Sequence, residues 1–235
     1  MSEVTPVPIG PDRVTTDHEI VVRSPYDGSE IGRVPACGAE EVAGAVASAR
    51  AQFVPVAAGA DPLPAHERAA ILDRGAALLD QRREQFARTI AAEAAKPLKT
   101  ARVEAGRAVD TFRFSAAEAR TLAGDVVPLG ASAPGVGKLG FTLRVPIGVV
   151  GAISPFNFPL NLVAHKIAPA LAAGCAVVLK PASQTPLSAL TLAELEHEAG
   201  LPPGWLNVVC GPASEIGDVL VEDDRVRAIT FGLQV

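Results

Sequence analysis

The sequence predicts an α/β fold built on a doubly wound, mostly parallel sheet, with helices on its N-terminal side and a β-hairpin arm. Three observations carry this expectation. Ile147 to Ile153 and Cys175 to Leu179 are apolar, β-branched runs too short for helices, and they read as strands covered on both faces. Between them a helix pattern opens at Pro159 and closes at Gly174, with Pro169 as a kink, so the three segments form a βαβ unit. Beyond them strand and helix patterns go on alternating. Of 235 residues, 49% are apolar and 20% charged, which is enough to bury a core.

Taken in order, Met1 to His18 is rich in proline and β-branched residues without sustained periodicity, and residues 1–20 read as an N-terminal tail or edge segment. Residues 21–123 hold a β-hairpin and helices. The turn Asp27-Gly28 lies between apolar stretches, the signature of a hairpin, and a short β-meander fits. Val42, Ala45, Val46, Ala49 and Phe53 recur at helical spacing after Glu40-Glu41, whose charges suit a helix N-terminus. Ile71, Leu72, Gly75, Leu78, Leu79, Arg82, Phe86 and Ile90 continue such a stripe over a longer stretch. The charges around it, Glu67, Arg68, Arg82, Arg83 and Glu84, read as a solvated face. Pro97 opens a further helix with Ala105, Ala108, Val109, Phe112, Ala116 and Ala119 on one face. Residues 124–144 shift to Gly, Pro and Val and read as a long hairpin arm. Residues 145–235 are the alternating core: after the βαβ unit come a helix from Pro186 to Ala199 ended by Gly200, a strand at Leu206 to Val209, a short helix at Ser214 to Val221 and a strand from Arg227 to Phe231.

Composition also excludes partners. A net charge of −5 with no basic stripe argues against nucleic acid or an anionic membrane surface. The longest apolar window, near Ile167 to Leu179, falls short of the ~20 residues of a spanning helix. No basic region followed by an apolar core stands at the N-terminus, so the expected location is the cytosol. Cys37, Cys175 and Cys210 lie far apart with no C-x-x-C, which indicates reduced structural thiols rather than a metal site or disulfides. Trp205 reads as packing.

Ligands of a parallel sheet sit beyond the carboxyl ends of its strands, where the loops Ser154 to Phe158 and Lys180 to Ser183 should face one another across a crevice. Asn157 is a lone amide between Phe156 and Phe158, and Lys180 a lone ammonium at a strand end in need of an anion. A capping asparagine and a solvated lysine are the alternatives.

S-P-F-N-F-P-L-N, A-P-A-L-A-A-G-C, V-V-L-K-P-A-S-Q-T-P-L and G-L-P-P-G-W-L-N-V-V-C-G, in this order, resemble the aldehyde dehydrogenase superfamily from about Val21 to Phe231. The resemblance implies oxidation of an aldehyde to an acid, or to a thioester in some members, through a cysteine thiohemiacetal that passes hydride to a nicotinamide. It implies that Asn157 is the side-chain amide facing the developing oxyanion, and that Lys166 has an orienting role. Ile153, Ser154, Pro155 and Phe156 match the loop against the cofactor, Lys180 the lysine that bonds the adenosine ribose, and Ala182, Ser183 and Gly211 complete the cofactor set. Many NAD-preferring relatives carry glutamate where this chain has Ser183, and serine removes the repulsion of a 2′-phosphate, so NADP is expected beside NAD. An ordinary helix-entry serine is the alternative. Like the family, the chain has no G-x-G-x-x-G after the first strand of the alternating core.

Arg107, Phe158, Leu162 and His165 match substrate-tunnel positions, the last three spaced i, i+4 and i+7. Arg107 and His165 stand where members taking uncharged aldehydes are apolar or aromatic. An aldehyde carrying carboxylate or phosphate is therefore expected, with an Arg–Glu pair and a core-edge histidine as the alternative. The arm implies a homo-oligomer. After I-T-F the family continues with threonine and a Gly-Ser pair, where this chain reads Gly232-Leu233-Gln234-Val235. No cysteine here matches the family's nucleophile, and its general-base glutamate and catalytic domain come later. The expectation is an incomplete dinucleotide-binding domain, the amino-terminal portion of a dehydrogenase, inactive alone. The alternative is a non-catalytic fragment that binds nucleotide weakly or joins full-length subunits.

Overall fold

The computed structural model describes residues 3–53 and 63–232; Leu233 to Val235, where the sequence departs from the family pattern, lie outside them. The chain opens with an antiparallel pair, β1 (Val7–Ile9) and β2 (Asp12–Val14). Of the two readings of this segment, a tail or an edge segment, the strand pair is compatible with the second. Gly10, at φ 59°, turns the chain, Val7 is fully buried, and the Gly10 N–H donates to the Oδ1 of Asn207 at 2.8 Å. Strands of three residues are too short to show a period. A second hairpin follows, β3 (Glu19–Arg23) and β4 (Glu30–Pro35), with Gly28 at φ 73° in its turn. The two hairpins are separate sheets rather than one meander.

Four helices come next: α1 (Ala39–Ala51), α2 (Ala65–Gln81), α3 (Arg83–Ala94) and α4 (Leu98–Thr121). The Glu41 carboxylate accepts the Gly38 N–H at 2.7 Å and caps α1. The long stripe expected over 71–90 breaks between α2 and α3 at Arg82, at φ −98° and ψ 13°. Its guanidinium makes a two-pronged pair with Glu198 at 2.6 and 2.7 Å, a long-range contact that local spacing does not show. Arg68, expected on a solvated face, is buried and donates to the carbonyls of Leu63 and Ala172. In the arm, β5 (Val126–Val127) pairs antiparallel with β6 (Gly140–Phe141), and Val126, Val136, Leu139, Phe141 and Leu143 are exposed.

The remaining chain alternates: β7 (Val149–Ile153), α5 (Asn161–Ala172), β8 (Ala176–Lys180), α6 (Leu187–Glu198), β9 (Leu206–Val208), α7 (Ala213–Val221) and β10 (Val226–Phe231). The strands form one parallel sheet in the order β10-β7-β8-β9. Pro169 lies inside α5, and Gly174, at φ 79°, ends it in the left-handed region where glycine is favoured. From β7 the chain moves through α5 and α6 to β9, then returns through α7 to the far side of β7. Right-handed crossovers in opposite directions put α5 and α6 on one face and α7 on the other, the doubly wound arrangement. α1 packs against α7, β8 and β9, while α2 and α4 back onto α5. The winding reverses between β7 and β10. In such sheets the crevice at the carboxyl ends of those two strands is where ligands bind.

Candidate active site

β7 and β8 end level, Ile153 opposite Lys180, and the Ser154 N–H donates to the Lys180 carbonyl at 3.1 Å. On the other side the Gly232 N–H closes on the Ile153 carbonyl at 3.0 Å. The loop 154–160 therefore leaves the sheet at the reversal of winding, between the 180–183 loop and the end of β10. Ser154 is buried, Pro155 half-buried, and Phe156 exposed. Lys166, on α5, is buried and meets the same place: a Cβ added to Gly232 would lie 3.1 Å from its Nζ and 2.5 Å from Pro155 Cδ. Burial holds its ammonium below the usual lysine range.

Asn157 is half-buried, and its Oδ1 is enclosed without a hydrogen-bond partner among the described residues. An unpaired amide oxygen costs on the order of 1–3 kcal/mol, so this side chain is not placed there for stability. Nor does it cap the helix behind it. The Leu160 and Asn161 N–H groups at the head of α5 donate instead to Oε1 of Glu104, at 3.0 and 3.2 Å. The other oxygen, Oε2, takes the Lys96 ammonium at 2.5 Å. Lys96 also donates to the main-chain carbonyl of Asn157 at 2.6 Å and sits 4.0 Å from the centre of the Phe158 ring. Neither Lys96 nor Glu104 was singled out in the sequence. The signal was present in Glu104, which interrupts the apolar stripe Ala101, Ala105, Ala108 and is itself buried.

The tunnel positions come together from two helices. Arg107 is exposed on α4, and Thr111, one turn on, places its Oγ1 3.5 Å from Nε2 of His165 on α5. Burial first, then the charges of Arg107 and Lys166, hold His165 below the ordinary histidine value. Arg107 has no ion pair among the described residues, so the expected Arg–Glu alternative is not realised, and His165 is exposed rather than at a core edge. Leu162 is half-buried in the first turn of α5, and Phe158 precedes that helix.

On the other side of the loop, the Lys180 ammonium is buried, not solvated, with a long contact of 3.5 Å to the Pro181 carbonyl. Burial lowers its pKa, and Cys210 opposes that shift. The Ser183 hydroxyl donates to the Gly211 carbonyl at 2.9 Å, so these two positions meet, with Ala182 half-buried beside them. Ser183 is not a helix-entry residue, since α6 begins at Leu187 and its first N–H groups go to Glu93. Cys37 donates its N–H to the Cys210 carbonyl at 2.7 Å, behind Gly211. Burial pushes the Cys37 thiol up to about 11 and raises Cys210 as well, so neither is a thiolate at neutral pH. All three cysteines are free and buried, and among the described residues no cluster of His, Cys, Asp and Glu could hold a metal ion. The buried Lys180 ammonium, with only a long contact to the Pro181 carbonyl, keeps N–H donors at the strand ends, where ligands of a doubly wound sheet bind.

Residues 13–232 match the model of the aldehyde dehydrogenase family. The chain belongs to the aldehyde dehydrogenase family. It is 43% identical over 218 residues to a 3-sulfolactaldehyde dehydrogenase of Priestia aryabhattai, covering 92% of this chain and 44% of that protein. To the mitochondrial succinate-semialdehyde dehydrogenase of Arabidopsis thaliana it is 42% identical over 212 residues, 90% of this chain and 39% of that one. The crystal structure of an NADP-dependent glyceraldehyde-3-phosphate dehydrogenase from Bacillus halodurans, complexed with NADP, superposes with a TM-score of 0.90 at 39% identity, over 98% of this chain and 48% of that one. This aldehyde dehydrogenase chain thus spans less than half the length of these relatives.

Proposed function

We propose that this chain supplies the cofactor side of an aldehyde dehydrogenase that oxidises an aldehyde bearing a second, anionic group, with NADP or NAD as the acceptor. The observation that carries the reading is the Asn157 amide, enclosed, unpartnered at Oδ1 and held at the reversal of winding of the sheet. An amide fixed there can donate to the oxygen of an attacked carbonyl as negative charge develops on it, a contribution worth ~10²–10³ in rate. Lys180 and Ser183 would hold the adenosine ribose, and the nicotinamide, when bound, supplies the oxidising capacity. Ser183 brings no carboxylate against a 2′-phosphate, which supports acceptance of NADP.

The relatives' substrates carry a sulfonate, a carboxylate or a phosphate. Arg107 offers a free guanidinium fork for such a group, with His165 and Thr111 beside it. Burial of the three cysteines supports the view that the nucleophile comes from elsewhere and that the isolated chain does not turn over. The exposed apolar residues of the arm support a homo-oligomer, and three free cysteines suit the cytosol.

The test compares succinic semialdehyde with butanal in an active protein containing this chain, with and without Arg107→Ala. Loss of ~10–100-fold in kcat/KM on the anionic aldehyde, with little change on the neutral one, is expected. Equal losses would remove the anion-binding role. Titration with NADP and NAD checks the cofactor, and exclusive binding of NAD would contradict the reading of Ser183. Turnover by the purified 235-residue chain would overturn its inactivity.

A further inference from the structure

The loop that carries Asn157 is fixed at three points, and two of them belong to a lysine and a glutamate for which sequence and family likeness suggest no role. Its upstream end is tied by the Ser154 N–H on the Lys180 carbonyl. Its downstream end is tied by the Leu160 and Asn161 N–H groups on Glu104. The middle tie is on Asn157 itself, whose main-chain carbonyl accepts from Lys96 at 2.6 Å. We infer that Lys96 and Glu104 are positioning residues that clamp this loop and so set the direction of the Asn157 amide.

The geometry is specific in three ways. An ammonium has three protons, and Lys96 faces three electron-rich groups: the Asn157 carbonyl, Glu104 Oε2 and the face of Phe158. Lys96 is delivered by an unusual backbone. Ala95, before it, is the one non-glycine among the described residues in the left-handed region, at φ 48°, and Pro97 follows. Such a conformation persists where surrounding contacts hold it. Lastly, Glu104 is buried, and its charge is shared between an ammonium and the positive end of α5, so the pair is no exposed surface bridge. Fixing the carbonyl of residue 157 fixes the peptide plane on which its Cα–Cβ bond depends. Displacement of a catalytic group by about 1 Å costs on the order of 10²-fold in rate.

The inference rests on the proposed role of Asn157, and a double-mutant cycle in an active protein containing this chain separates the two. Asn157→Ala should lower kcat by ~10²–10³. Lys96→Met should lower it by ~10–100-fold while the cofactor Kd stays near wild type, and Lys96→Arg should recover part of the loss. In the Asn157→Ala background the same Lys96→Met change should cost less than about threefold, because no amide is left to position. A loss of the same factor in both backgrounds, or none in either, overturns the inference. Hydrogen exchange read on the chain itself supplies the second measurement: Lys96→Met should speed exchange over residues 157–162 by ~10-fold and leave β7 and β8 unchanged. Unchanged loop exchange removes the clamp, whereas unchanged kcat in Asn157→Ala removes the reading of the amide on which the inference depends.

Discussion

The heads of α5 and α6 are built alike and finished differently. Neither helix has a side-chain cap of its own, and each takes a buried glutamate from an earlier helix: Glu104 of α4 accepts two N–H groups of α5, and Glu93 of α3 accepts two of α6. Glu104 is also matched by the ammonium of Lys96, which reaches on to the Asn157 loop. Glu93 has no such cation among the described residues. Burial pushes its carboxyl up to about 7, against the opposing pull of the Ser188 hydroxyl and the helix N–H groups, and the charge of Glu104 adds to the rise. The same device therefore serves as plain helix packing at α6 and, at α5, as a mount for the candidate site. What distinguishes them is a counter-ion with a second address.

The largest effect should come from breaking the matched end. Glu104→Ala leaves two N–H groups and the largely buried Lys96 ammonium unpaired, and about 3–5 kcal/mol of stability should be lost in a denaturant titration. The unmatched end should show itself through pH. The folded chain holds the Glu93 proton more tightly than the unfolded chain, with a pKa of about 7 against 4.5, so its contribution falls as pH rises between those values. The difference is about 3 kcal/mol, and Glu93→Gln should flatten that part of the stability profile measured from pH 4 to 8.

A third buried carboxyl extends the series to its limit. Glu196 on α6 has neither N–H donors nor a cation among the described residues, and burial holds it well above the usual carboxylate range. It lies against α2 where Gly75 has no side chain; a Cβ there would collide with Oε1. Glu196→Met should raise stability at pH 7.5 by about 1 kcal/mol, seen as a higher thermal midpoint, because an apolar group of similar length leaves nothing unsatisfied.

Where local chemistry decides an element, the sequence was legible. Pro159 and Gly174 bracket the helix, and the β-branched runs on either side are the two central strands. Residues 7–14 were not legible, because two three-residue strands are held by burial of Val7 and by a side chain of Asn207, far along the chain. The break at Arg82 escaped for a similar reason, since its partner is Glu198. Within the candidate site, Asn157 and Lys180 could be picked out by their polar character at apolar strand ends, and Ser183 by the family resemblance. Lys96 could not, standing between two helices and outside any pattern, while Glu104 left a trace as a break in the apolar stripe of α4. Glu93, Glu104 and Glu196 share one local sign, each standing where an apolar stripe calls for an apolar residue. A glutamate in that register points to a buried carboxyl.

The start of α5 is defined by a carboxylate 56 residues earlier. Pro159 and Gly174 mark the helix locally, but the N–H groups at its head are satisfied only where α4 is docked. The seating of α4 and the order of the Asn157 loop are thereby coupled, so whatever loosens one loosens the other.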